Sequence, residues 1–551
     1  MPTSVTQARK WVNQLPTSNF GEMTRLIYLC TRELNKNQLS STTRIAITEI
    51  IQPFAEMAIN NLKKHLIARS FPLPERSRKI FELNQALLLE MAGAYQLSAL
   101  DMLTKGTVTK KQLLLSVGRS LNYMGRVLLN TYNIYTTPKE ALWRDIHHLY
   151  LLACENKIEK LLIPNKSQLS HSCKTIEDYY KHTSLLALSR PNTIRIGEIA
   201  RLDRFFRQVL DDVSLFNDTT LATGKYAHIA MLNSDEPATL MPVAELLHSP
   251  TVRLFNLTPV IKKLTQFVKD TKNSKSLGTN STFPMLTNSL ARRLISTMSI
   301  IKNRQFKRFS RSEQTPIVSH LSNIVKVIQL EQEQQQQNQN DMLLNEDSLF
   351  EEMIYGESSS SSSPWATPDI TTQLNENDLE MRVWHIENSS SEGYGLLWEH
   401  QDPSGVRVGE LIALQDPADA AELWQIGTVR WMESRPNKGL SAGVALLSPR
   451  AFPITIKNVI NRKLPQKFPL EGLFLPKIEG LKESAYLVLP DYMFAVKDKL
   501  TITHNNQTEL IELININERQ GAFALCEYIT TKIESEKKEK NDSFNEIWDS
   551  L

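Results

Sequence analysis

The chain of 551 residues has only four cysteines, Cys30, Cys154, Cys173 and Cys526, and they form no CxxC pair. That scatter argues against a disulfide framework and against a thiolate zinc centre. Reduced thiols suit a cytoplasmic protein, and that is the expected location. No apolar run reaches the roughly 18 residues that a spanning helix needs, so no membrane span is expected. The opening stretch MPTSVTQARKWVNQL lacks the apolar core of a signal peptide. An excess of one charge is also missing. Sixty-three Lys and Arg against 60 Asp and Glu leave a formal charge of +3, which argues against a dedicated nucleic-acid partner. Neither GxxxxGK[ST] nor GxGxxG occurs, and there is no GxSxG elbow. No catalytic residue is assigned and no enzyme is expected. Asp145, His147 and His148 invite a metal, but adjacent histidines on a helix point to different faces, so no metal site and no cofactor are assigned.

What is present is the composition of an ordinary soluble protein, with 22% charged and 41% hydrophobic residues. A chain of this length exceeds one core and implies three or more domains. Residues 1–230 read as successive amphipathic helices. Ile47, Ile50, Ile51, Phe54, Ala58, Leu62 and Leu66 follow helical spacing, as do Ile80, Leu83, Leu87 and Met91. Pro53 should break or kink the first of these runs. Near residue 185, LLALSRPNTIRIGEIARLDRFF predicts a helix, a Pro-Asn break and a second helix. YAHIAML, residues 226–232, alternates like a strand and opens a small mixed segment over 231–285. That segment ends in a polar linker, KDTKNSKSLGTNSTFP, at 269–284. A helix follows over 286–303, then a basic segment, then a strand-like run from Ile317 to Leu330.

Residues 331–378 are rich in Gln and Ser, with six consecutive serines at 358–363. Such a segment buries too little apolar surface to offset chain entropy and is expected to be disordered. Met342, Leu349, Phe350, Met353 and Ile354 within it suit either a short docking helix or sticky disorder. From Glu380 the period changes to two, in MRVWHIE, YGLLWEH, RVGELIALQ, LWQIGTVRWME and LSAGVALL. Short strands at this spacing predict a barrel or sandwich. The strand content assigns 379–460 to one β-barrel and 461–530 to a smaller β-unit. A charged tail, 531–551, closes the chain. Its Phe544, Ile547, Trp548 and Leu551 suit either a groove-binding helix or packing on the protein's own surface.

Two motifs carry the chemistry. The first is RQFKRFSR, from Arg304 to Arg311. The second is Asn388-Ser389-Ser390-Ser391-Glu392-Gly393 at the end of the MRVWHIE strand. Asn and Ser offer short, rigid hydrogen-bonding groups at a strand end. The glycine permits a tight turn and the close approach of a ligand. Gly443 and the pair Trp424 and Trp431 are assigned to barrel packing.

In these residues the sequence resembles the PilZ family, which carries an RxxxR cluster before its barrel and a [D/N]xSxxG motif on an early strand. The second motif matches fully at Asn388, Ser390 and Gly393, and IGTVRWMES…GLSAGVALLSP at 426–449 is similar to the family's closing strands. The resemblance spans roughly 304–330 and 380–455. The first motif departs from the pattern. With KRFSR aligned, Lys307 replaces the first arginine and Arg311 is the second. With RQFKR aligned, Arg304 and Arg308 satisfy it. The 77 positions from Arg311 to Asn388 imply an insertion, and long loops add little closure entropy.

The resemblance implies that both motifs clamp cyclic di-GMP, so Arg304, Lys307, Arg308, Arg311, Asn388, Ser390 and Gly393 are the candidate ligand-binding residues. Arginine suits that ligand because one planar group pairs with guanine O6 and N7 and grips phosphates. Lysine cannot make the bidentate contact, so the KRFSR alignment implies weaker or altered binding. The expected fold is multidomain α+β, with an α-helical N-terminal region, a PilZ-like β-barrel and a smaller C-terminal β-unit. The expected function is a bacterial cyclic di-GMP effector that relays the signal to a protein partner through its helical domain or its tail. The alternative is a degenerate PilZ-like scaffold that binds no nucleotide.

Overall fold

The computed structural model describes residues 2–531 apart from 66–69, 165–172, 247–248, 274–282, 301–305, 355–379, 420–422, 436–437, 461–468, 478–483, 492, 505–506 and 520–522. The chain divides into two compact units. The first comprises Met1–Glu313, Trp384–Val408 and Val429–Ala445; the second comprises Gln314–Val383, Gly409–Thr428 and Leu446–Leu551.

Among the described residues the first unit begins with eight α-helices: α1 (Val5–Val12), α2 (Phe20–Lys36), α3 (Ser41–Lys64), α4 (Glu75–Thr104), α5 (Lys110–Asn133), α6 (Leu142–Glu155), α7 (Ile176–Leu188) and α8 (Glu198–Gln208). Short polar side chains start several of them. Ser4, Asn19 and Ser40 accept from backbone N–H groups three residues on, and Thr175 forms a capping box with Asp178. Each satisfies a donor that the first helical turn leaves without a partner. The predicted stripes face the core: Ile47, Ile51, Ala58, Leu87 and Met91 are all at most 1% exposed. Leu66 lies outside the described residues. Pro53 does not break α3, which is one helix from Ser41 to Lys64. Ile47, Ile51, Ala55, Ala58 and Ile59 bury on both sides of it, and that packing outweighs the one backbone donor a proline removes.

A polar ladder crosses α3, α4 and α5. Tyr95 donates to Glu49 at 2.6 Å and Tyr123 to Glu56 at 2.8 Å. Arg119 and Arg126 lie 3.3 and 2.7 Å from the same two carboxylates. The Tyr95 and Tyr123 rings stack at 6.2 Å. Buried phenols of this kind need an acceptor, and a carboxylate is a strong one.

After α8 come β1 (Ser214–Phe216), β2 (Tyr226–Met231), β3 (Thr239–Pro242) and β4 (Val252–Asn256), in the sheet order β1-β4-β2-β3. Helix α9 (Thr258–Asn273) carries regular structure into the stretch read as a linker, and α10 (Asn288–Ser299) follows.

The next strands are β5 (Phe309–Ser310), β6 (Gln314–Ser319), β7 (Arg382–Ser390), β8 (Gly393–Trp398), β9 (Leu411–Gln415), β10 (Trp424–Arg435) and β11 (Gly439–Ser448). Their order is β5-β7-β6-β9-β10-β11-β8, and β7 also pairs with β8, which closes six strands into a barrel. Strands β5 and β8 belong to the first unit and β6 and β9 to the second, while β7, β10 and β11 contribute to both.

Two sequence readings of this region are corrected. The run Ile317–Leu330 is not one strand. Strand β6 ends at Ser319, His320 takes a left-handed φ of 73°, and helix α11 (Leu321–Ile354) begins. Ile324, Val325, Val327 and Ile328 are buried together. Their spacing of three and four is helical, and their β-branched character disguised it. The expectation of disorder over 331–378 is overturned as far as Ile354, because α11 runs that far. Glutamine and glutamate are good helix formers, and the buried start of α11 supplies a nucleus from which they extend. Residues 355–378 lie outside those described.

The second unit also contains β12 (Phe452–Val459), β13 (Leu470–Leu475), β14 (Tyr486–Pro490), β15 (Lys499–His504), β16 (Gln507–Arg519) and β17 (Phe523–Thr530), a closed barrel in the order β12-β13-β14-β17-β16-β15. The sequence places β12 in the preceding barrel. It instead pairs with β13 and β15 and turns Ile454 and Ile456 into the C-terminal core. The chain is therefore multidomain α+β, with a helical N-terminal region and two barrels. Among the described residues no helix is long and apolar enough to cross a membrane.

Candidate functional site

The Asn388–Gly393 motif is the β7–β8 hairpin. Ser390 and Gly393 face each other across it, and the Ser390 hydroxyl donates to the Gly393 carbonyl at 3.3 Å. Gly393 has a φ of 151°, and a Cβ there would fall on the Val444 carbonyl. The motif glycine is thus fixed by the neighbouring strand as well as by the turn.

A β-bulge decides where Asn388 points. Ile386 pairs with Leu396, but Asn388 pairs with Gly395, so Glu387 is an extra residue in β7. Strict alternation would place Asn388 on the face of Ile386, which is fully buried. The extra residue turns Asn388 onto the opposite face, a common use of bulges. Its amide then lies over Gly395, where a Cβ would come within 2.7 Å of both Nδ2 and Oδ1.

The basic segment runs along β7. Phe309 pairs with Ser389 and Ser310 with Asn388, and Arg311 N donates to the carbonyl of the bulged Glu387 at 3.0 Å. This pairing brings the Arg308 guanidinium to Asn388, where it donates to Oδ1 at 2.7 Å. Arg311 turns to Glu313, with Nε donating to Oε2 at 3.1 Å. That hydrogen bond holds the Glu313 carboxyl below its ordinary range. Lys307 is exposed, and Arg304 lies outside the described residues. The structure therefore joins Arg308, Asn388, Ser390 and Gly393 in one place and sets Arg311 at its edge.

The same face continues beyond Gly395. Gly395 pairs with Gly443 of β11, and a Cβ on Gly443 would fall on the Trp431 indole of β10. Packing alone describes Trp424, which is 6% exposed among Ile426, Leu447 and Val488. Trp431 is half-buried and packs over Gly443 of the neighbouring strand. The sequence assigns Trp431 and Gly443 to barrel packing, and the structure places that contact on the face that carries Asn388 and Gly395.

The His147 ring is used structurally. Its Nε2 meets the Glu236 carbonyl at 2.9 Å and its Nδ1 the Tyr180 hydroxyl at 2.9 Å. Burial pushes its pKa down. Among the described residues no cluster could hold a metal ion.

Comparison with known proteins gives a consistent result. Residues 6–219 match the family model "Cyclic-di-GMP receptor FimW, N-terminal domain", 320–453 match its middle PilZ domain, and 456–531 match its C-terminal β-barrel domain. Arg308 and Arg311 fall between the first two matches. The cyclic-di-GMP receptor FimW of Pseudomonas aeruginosa is 23% identical over 98% of this chain and 95% of its own length. No solved structure matches. With three successive domain models matched in order, the chain belongs to the PilZ-domain family that includes the receptor FimW.

Proposed function

We propose that this protein is a cyclic di-GMP-binding effector whose site is the face formed by Arg308, Asn388, Ser390 and Gly393, with Arg311 and Lys307 beside it; Arg304, four positions earlier in the sequence than Arg308, is a further candidate. The observation that carries the reading is the Arg308–Asn388 hydrogen bond, which unites the basic segment and the hairpin motif. The full-length likeness to FimW supports it. A cationic fork above a backbone floor suits a ligand with two phosphates and two guanines. The protein acts as a receptor rather than a catalyst, and it works in the cytoplasm, where cyclic di-GMP and reduced thiols coexist.

The output is a shift between conformations passed to a protein partner. One contact supports a route to the helices. Ser434, three residues beyond Trp431 on β10, donates its N–H to the Tyr135 carbonyl at 2.6 Å, and the Thr136 hydroxyl donates to the Ser434 carbonyl at 3.1 Å. Calorimetric titration of the wild type and Arg308→Ala with cyclic di-GMP tests the reading. It predicts binding that the substitution weakens. Absence of binding to the wild type would favour the ligand-free scaffold.

A further inference from the structure

We propose that Trp431 is the base-stacking platform of the cyclic di-GMP site, an inference that rests on the proposed function. It follows from one row of residues across four strands. Asn388 on β7 pairs with Gly395 on β8, Gly395 pairs with Gly443 on β11, and the Trp431 indole of β10 fills the space above Gly443. Residues paired across antiparallel strands share a face. Arg308, bonded to Asn388, extends the row at its other end.

Three steps of about 4.8 Å therefore separate a polar end from an aromatic end. Between them lie two positions without side chains. Glycine in a strand interior weakens the strand and commonly marks a close approach of ligand or backbone. Here both glycines are also required locally, because a Cβ on Gly395 would strike Asn388 and one on Gly443 would strike Trp431. The two large side chains can lean over the floor only because the glycines are there. The opposite face of the same strands is a packed interior, where Ile386, Leu396 and Ala442 are each at most 1% exposed. A half-buried indole beside a side-chain-free floor offers the face of a purine a surface to stack on. Arg308 offers donors to a purine edge or a phosphate at the other end. Trp431 carries the base face while the arginine carries edge and charge.

The test uses the full chain and three variants, with cyclic di-GMP as the probe. Trp431→Leu keeps apolar bulk over Gly443 and removes the stacking surface, so binding should weaken between about fivefold and a hundredfold, the usual worth of one base–aromatic stack. Trp431→Phe should keep most of the affinity. Ligand should quench tryptophan emission in the wild type, and that quenching should shrink in Trp431→Phe although binding persists. Gly443→Ala, which displaces the indole, should resemble Trp431→Leu. If wild type binds and Trp431→Leu binds equally well, the platform is refuted while the site reading stands. Quenching unchanged in Trp431→Phe also refutes it, and this readout holds even where the leucine variant loosens the sheet. A wild type that does not bind at all overturns the site reading and the platform together.

Discussion

Arg308 donates to Asn388 Oδ1 across 80 positions of chain, and this one bond makes the basic segment and the hairpin a single surface. Arg308 thus orients the asparagine, and in the proposed site its remaining donors would serve the ligand. Arg308→Ala is expected to weaken cyclic di-GMP binding by roughly 1–3 kcal/mol, the scale of one good arginine–guanine contact. The bond is only partly buried, so the melting temperature should barely move. Calorimetry beside thermal unfolding checks both statements.

Arg311 is engaged differently, because Glu313 accepts from its Nε. In the proposed site that exposed carboxylate would compete with a ligand phosphate for the same guanidinium. Glu313→Gln should tighten binding slightly, by up to about 1 kcal/mol, and Arg311→Ala should weaken it. If Glu313→Gln weakens binding, the carboxylate is positioning Arg311 rather than competing for it.

The alignment of the basic motif is open to direct test. If KRFSR is the functional cluster, Lys307→Arg should tighten binding and Arg304→Ala should do little. If RQFKR is, the two results should exchange.

Gly395→Ala should act through Asn388. The added Cβ would lie 2.7 Å from the amide, forcing it away from Arg308. A weakening comparable to Arg308→Ala is expected, and combining the two should cost less than their sum, because both break the same contact. Full additivity would separate the glycine from the arginine.

The β10 contact with Tyr135 and Thr136 gives a relay prediction. Cyclic di-GMP should alter hydrogen exchange at residues 134–137. Ser434→Pro, which removes the donor to Tyr135, should abolish that response while leaving binding intact. An unchanged response in the variant would remove β10 from the route.

Acid should weaken the first unit through His228, whose pKa burial lowers to about 4. The unfolded chain takes up this proton near pH 6.5, while the folded chain refuses it until about pH 4. The stability is therefore complete above the unfolded value and falls as pH drops through the interval, by up to ~3 kcal/mol. Urea unfolding at several pH values should show this slope, and His228→Gln should flatten it.

The hairpin motif, the helical stripes and the period-two strands were legible because each is a local pattern. The rest depended on partners that a single sequence does not display. No residue type announces the bulge at Glu387, which exists only relative to Leu396 and Gly395. Strand β12 looked continuous with β11, and only its pairing with β13 and β15 moves it to the C-terminal barrel. Ile324 to Ile328 satisfied a strand as well as a helix until His320 turned the chain. The sequence shows Trp431 and Gly443 as separate packing residues, and only the strand register places them together on the face of Asn388.

The central claim is that this chain binds cyclic di-GMP, and calorimetric titration of the full-length protein tests it most directly. The account predicts a saturable binding isotherm that Arg308→Ala weakens. No detectable binding by the wild type at near-millimolar ligand would contradict it.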